Sequence, residues 1–197
     1  MKAEEKAALL KYREKLKFVR SSGVEVNPNE TPSEKTARIA KAKKDVRFCV
    51  QYYFPHYATS ESADFQIQSA NYTLKHKTAK VFDEWGRGLA KSVWDDVIKP
   101  FWLWLNGEAH YHVIVTTSYD RACELAEDLR AEWEGNPRII NDFGEQHTTG
   151  QWEKGFYITK SGFICKALGA GQSVRGLRVK DQRPDLITVC LLYTSDA

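Results

Sequence analysis

Several things are missing from this 197-residue sequence, and each absence excludes a class of protein. No apolar run approaches the roughly 18–20 residues that a membrane-spanning helix needs, so no membrane partner is expected. The opening residues, Met1-Lys2-Ala3-Glu4-Glu5, are charged and carry no apolar core of the signal-peptide kind. The four cysteines, Cys49, Cys123, Cys165 and Cys190, are widely spaced singletons. That spacing suits neither a zinc knuckle nor a disulfide framework, and it fits idle thiols in a reducing compartment. There is no internal repeat and no low-complexity tract. What remains is an ordinary globular composition, 42% hydrophobic and 28% charged, long enough for one domain with an additional helical arm.

The net charge of +3 hides an asymmetry. Residues 1–44 hold twelve Lys/Arg against six Asp/Glu, and the remainder holds seventeen against twenty. A basic arm on a near-neutral body can touch DNA phosphates. The alternative is a solvated helix laced by i,i+4 pairs, such as Glu14 with nearby lysines. Residues 3–20 read as a charged helix with Leu9, Leu10, Leu16 and Val19 available for one face. Thr31-Pro32-Ser33-Glu34 is a helix start, with Thr31 as N-cap and Glu34 completing a capping box. That helix is expected to run to about Tyr53 and to end before Phe54-Pro55. Residues 65–77 are helical with weak periodicity.

From Thr78 onward the pattern is α/β. Val81-Phe82 is read as a very short strand feeding a glycine-containing loop. A helix follows from Lys91 to Leu105, where Pro100 can kink it. Residues 112–117 form a buried strand, and Asp120 to Trp133 an amphipathic helix. Residues 156–165 are a hairpin about Ser161-Gly162, and Leu186 to Val189 a last apolar strand. Strands alternating with helices predict a mainly parallel twisted sheet flanked by helices.

The loop Gly86-Arg87-Gly88-Leu89-Ala90-Lys91-Ser92 is the strongest local feature. Between strand and helix, its backbone N–H groups and the positive helix end can turn toward a triphosphate. Lys91 is placed to reach the β/γ-phosphates, and Ser92 to ligate Mg2+ through its hydroxyl. Against G-x-x-x-x-G-K-[ST], Ala90 stands where the second Gly belongs and Trp85 where the first does. The competing reading is a basic turn before a helix.

Arg-Gly-x-Ala-Lys-Ser in this setting resembles the phosphate loop of phage terminase large subunits, the ATP-driven motors of viral DNA packaging. Tyr53-Phe54-Pro55-His56-Tyr57, Phe65-Gln66, Val115-Thr116-Thr117-Ser118, and Asn136-Pro137 through Asp142-Phe143-Gly144 are similar to segments of that family in the same order. So are Gly169-Ala170-Gly171-Gln172-Ser173-Val174-Arg175-Gly176 and Arg183-Pro184-Asp185-Leu186-Ile187. The likeness spans roughly residues 45–189. It implies a P-loop NTPase fold, with a helical basic lead-in over 1–64 and an incomplete ATPase core over 65–189. It also implies ATP and Mg2+ as cofactors. Arg87, Gly88, Leu89, Ala90, Lys91 and Ser92 then bind the nucleotide, and Ser92 the metal. Lys91 and Arg175 are catalytic, Arg175 as an arginine finger reaching a neighbouring subunit. Arg178 and Arg183 stand as alternatives for that finger, and Arg175 can equally pair with a loop carboxylate. Gln66 either reads the nucleotide base or is an exposed helix residue. The implied partners are double-stranded DNA, a portal and procapsid, a small terminase subunit and further copies of the chain in a ring. The implied place is the cytoplasm of an infected host.

One departure matters. After Arg-Pro-Asp-Leu-Ile the family shows an acidic pair, one carboxylate for Mg2+ and one to activate water. This chain has Cys190-Leu191, and Asp196 comes too late to replace them. Residues 190–197 therefore read as a non-native tail, and the family's nuclease domain is not expected in this sequence. Asp185 begins the strand at the end away from the site, and Asp95-Asp96 reads as surface charge. His110 and His112 share a strand face but lack a third ligand, and are taken as strand-end surface residues. A helicase-like translocase needs motifs between loop and last strand that are not present. A DNA-binding module using the basic arm alone is the reading from another class.

Overall fold

The computed structural model describes residues 3–22, 25–173 and 175–190. Its first helix, α1 (Ala3–Ser21), does not stand off as an arm. It packs along α7 (Tyr119–Gly135), burying Tyr12, Leu16 and Val19, which recur at i, i+4 and i+7. The expected face is thus partly corrected: Leu9 and Leu10 stay exposed, and Tyr12 takes their place because its hydroxyl can donate to Glu134 at 2.6 Å. A Cβ at Gly135 would lie 2.7 Å from Leu16 Cδ1, so any side chain there requires Leu16 to shift. Lys15 seals the contact by bonding the Glu124 carbonyl at 2.7 Å and Asp128 at 2.5 Å.

The capping box at Thr31 and Glu34 is present, opening α2 (Pro32–Lys44). The single helix expected as far as Tyr53 breaks at Asp45, whose backbone is extended (φ −125°, ψ 103°). Its carboxylate accepts from Phe48 N at 3.2 Å and starts α3 (Val46–Tyr53). α4 (Asp64–Lys75) follows. The predicted strand at Val81-Phe82 does not form: the segment is irregular and Phe82 is 88% exposed. Two apolar residues with no neighbouring strand to bond leave the backbone nothing to pair with.

Helix α5 (Lys91–Val93) continues through a π turn, Trp94–Ile98, into α6 (Lys99–Leu105). The wide turn sits immediately before Pro100, where an ordinary helix would clash with the carbonyl four residues back. Lys99 N–H bonds Trp94 O, five residues earlier, and Pro100 has no N–H to offer Asp95 O. The Thr188 hydroxyl meets that carbonyl instead, at 3.4 Å.

The sheet has five strands: β1 (Tyr111–Thr116), β2 (Trp152–Glu153), β3 (Phe156–Ile158), β4 (Ile164–Gly169) and β5 (Leu186–Val189). Their order is β2-β3-β4-β1-β5. β1 runs parallel to both β4 and β5, while β3 pairs antiparallel with β2 and β4, giving the hairpin expected from Ser161-Gly162. The result is an open, mixed but mostly parallel α/β sheet flanked by helices. One face, through Ile114, Cys165 and Ala167, belongs to the main core with helices α2 to α7 and α8 (Pro137–Phe143). There Tyr53, Phe101, Trp104, Trp133 and Phe143 form an aromatic cluster with centroids 4.6–6.2 Å apart. The other face, through Tyr111, Val113, Ile164 and Leu168, is packed by Leu177 and Val179 from the segment before β5.

Candidate phosphate-binding loop

Gly86 to Ser92 forms an exposed turn that becomes helical at Lys91. Two residues carry it through left-handed backbone: Gly88 at φ 81°, and Ala90 at φ 56°, ψ 28°. A glycine does this freely, but an alanine there costs about 1–2 kcal/mol. Ala90 is the position where the phosphate-loop pattern calls for its second glycine. Its carbonyl accepts from Trp94 N at 3.0 Å and opens the helical rod. Non-glycine residues held in this region concentrate at binding sites.

The loop lies at the carboxyl end of β5. Cys190, which follows that strand, bonds Val115 O through its N–H at 2.9 Å, and its thiol lies beside the Ser92 hydroxyl. Burial raises the thiol pKa, and the Ser92 contact lowers it in part. In an open α/β sheet this end of the strands is where ligands sit. Lys91 and Ser92 are half-buried, and Lys91 makes no ion pair among the described residues.

Behind the loop stands α4. Gln66 is buried, 7% exposed, so the exposed-residue alternative is corrected. Its Nε2 donates to Leu89 O at 3.0 Å, and its Oε1 accepts from Ala63 N at 2.9 Å. One turn further on, Ser69 Oγ donates to Asp83 at 2.9 Å and accepts from Lys99 Nζ at 2.8 Å. Lys99 also pairs with Asp83 and, at 2.7 Å, with Asp95, and lies 5.3 Å from the Trp85 ring centroid. Burial raises the Asp95 pKa, and Lys99 opposes it.

Asp95-Asp96 is therefore not surface charge. Asp96 is 1% exposed, and neither of its carboxylate oxygens has a hydrogen-bond partner among the described residues. Burial holds its pKa well above the usual carboxylate range, with Asp95 and Asp128 adding to the effect. The helix it sits on turns this side inward, which periodicity disguises because the π turn shifts the phase. His112 is also corrected: it is fully buried, Nε2 is 2.8 Å from Thr188 Oγ1, and burial lowers its pKa to about 3. His110 remains exposed beside Asp185, whose carboxylate caps the N–H groups of His110 and Tyr111 at the far end of the sheet.

Arg175 lies exposed in the turn after β4, its N–H bonding Ser173 Oγ at 3.2 Å. Neither it nor Arg183 makes an ion pair among the described residues, whereas Arg178 Nε is held by Lys180 O at 2.5 Å. Val174, Leu191 and Asp196, with the rest of 191–197, lie outside the described residues.

The fit to a nucleotide divides in two. An exposed turn with a lysine beside it can meet a phosphate, although the Leu89 N–H is already bonded to Gly86 O at 3.4 Å. Mg2+ is fitted poorly, because Ser92 supplies a hard oxygen but a thiol stands opposite it. Among the described residues no group of three His, Cys, Asp or Glu is arranged to hold a metal. No family model, curated protein or solved structure matches the chain.

Proposed function

We propose that this chain is the nucleotide-binding end of an ATP-driven DNA-packaging motor of the terminase large-subunit kind, built on a P-loop NTPase fold. The observation that carries the reading is the left-handed Ala90 in the turn before Lys91, lying against the carboxyl end of β5. Loop amides and Lys91 hold the phosphates of ATP, while Arg87 adds positive charge at the exposed rim. Arg175 of a neighbouring copy in a ring offsets charge on the transferring phosphoryl group, an effect worth ~10³–10⁵ in rate. Double-stranded DNA, a portal and procapsid, and a small subunit are the partners, in the host cytoplasm. Cys190 leaves the Mg2+ position without a carboxylate, so this sequence is expected to bind nucleotide better than it hydrolyses it.

Calorimetry with Mg-ATP tests this. Binding should weaken at least tenfold in Lys91→Ala, and Cys190→Asp should make it depend more strongly on Mg2+. Affinity that is the same with and without Lys91 overturns the proposal.

One observation also favours a nucleic-acid contact outside the loop. Arg13, Lys17 and Arg20 recur at i, i+4 and i+7 on the exposed side of α1 and make no ion pair among the described residues. Nor does Glu14, the carboxylate best spaced to neutralise such a face. The lysines that are paired, Lys11 and Lys15, turn to Glu124 and Asp128 on α7.

A further inference from the structure

We infer that Gln66 and Ser69 form a two-point clamp on the candidate loop, holding its amides in the phosphate-binding orientation rather than touching the base of a nucleotide. The two residues are three apart on α4 and so face the same way. Both are buried, at 7% and 8% exposure, although both are polar. Each grips the loop segment at a different point: Ser69 at Asp83, three residues before Gly86, and Gln66 at Leu89.

Peptide geometry gives the Gln66 contact its consequence. In a trans peptide the C=O of one residue and the N–H of the next point in opposite directions. Drawing Leu89 O inward toward Gln66 Nε2 aims Ala90 N–H outward, away from α4 and toward solvent. Left-handed Ala90 then carries the chain into Lys91 and Ser92. The other end of the Gln66 amide accepts from Ala63 N, so both ends are already engaged with the protein and the side chain is only 7% exposed. Ser69 acts on the entry to the loop. It shares Asp83 with Lys99, which belongs to the helix leaving the loop, and so ties entry and exit together.

This rests on reading Arg87 to Ser92 as a phosphate site, and the test separates the two claims. Binding of Mg-ATP and of inorganic tripolyphosphate is measured by calorimetry in the 197-residue chain and in Gln66→Met, which keeps length and apolar fit but removes both bonds. Amide exchange at residues 89–92 is followed in the same samples, with Ser69→Ala as a second variant. The clamp predicts that ATP and tripolyphosphate weaken by the same factor, about five- to tenfold, while exchange at 89–92 accelerates and exchange in β1 does not. Loss of ATP affinity with tripolyphosphate unchanged makes Gln66 a base reader and overturns the clamp. Unchanged exchange at 89–92 in both variants overturns it equally. If the parent chain binds neither ligand yet exchange still accelerates on Gln66→Met, the clamp stands and the phosphate-site reading falls.

Discussion

Replacing Ala90 by glycine should stabilise this protein, which is the reverse of what the same change does in a helix. Ala90 has φ 56° and ψ 28°, a conformation that costs an L-residue about 1–2 kcal/mol and glycine almost nothing. Glycine loses more backbone freedom on folding, which takes back about 0.5–1 kcal/mol. Ala90 is exposed, so no packing is forfeited with the methyl group. The difference leaves roughly 0.5–1 kcal/mol in favour of Ala90→Gly. In a chain of this size that is a rise of about 1–4 °C in Tm. Urea unfolding should show a higher midpoint with an unchanged slope, since the surface exposed on unfolding is the same. Ala90→Val should fall on the other side of the parent, because a β-branched residue tolerates left-handed backbone least. If Ala90→Gly instead lowers stability by about 1 kcal/mol, as in a helix interior, the turn is an ordinary first turn of helix. The phosphate-site reading would lose its geometric basis.

Two more perturbations follow from side chains described above. Asp96 is an acid whose folded pKa lies above its unfolded one, so the native state binds the extra proton. Stability therefore falls as pH climbs from about 4 toward the folded value, by up to about 1.4 kcal/mol per pH unit, and the deficit persists above it. Asp96→Asn should erase that slope and raise stability at pH 8 by about 1–3 kcal/mol; a variant less stable than the parent at pH 8 would show that the carboxylate is bonded after all. Arg13→Gln/Lys17→Gln/Arg20→Gln should lower the salt slope of duplex DNA binding, by about 0.9 for each phosphate no longer neutralised. A charge-matched Lys43→Gln/Lys44→Gln/Lys75→Gln control should leave the slope alone, and an equal drop in both would reduce the effect to net charge.

Local rules read the parts of this chain whose structure is decided locally. The capping box at Thr31, the hairpin about Gly162 and the buried strand β1 all satisfy their backbone within a few residues or by plain hydrophobicity. Those rules fail where a distant partner decides. Val81-Phe82 looks like a strand until one asks which edge would accept it. Asp45 is missed for a local reason instead: its side chain caps the next helix, a choice that periodicity does not register. Within the candidate site, Lys91 and Ser92 announce themselves by spacing, but the burial of Gln66 depends on a carbonyl 23 residues away. His112 and Asp96 sit in patterns that read as surface, and only tertiary packing turns them inward.

The wide turn at Trp94–Ile98 has a consequence for which residues the rod presents at its two ends. Each helical residue advances the side chains by about 100°, so one extra residue in a turn rotates everything beyond it by that amount. The rod thus presents Lys91 and Ser92 to the strand ends and, ten residues later, sets Phe101 among the aromatics and Trp102 in the core. Tighten the turn by one residue and one of those two faces must point the wrong way. The wide turn ahead of Pro100 thus decides which residues meet the strand ends and which meet the core.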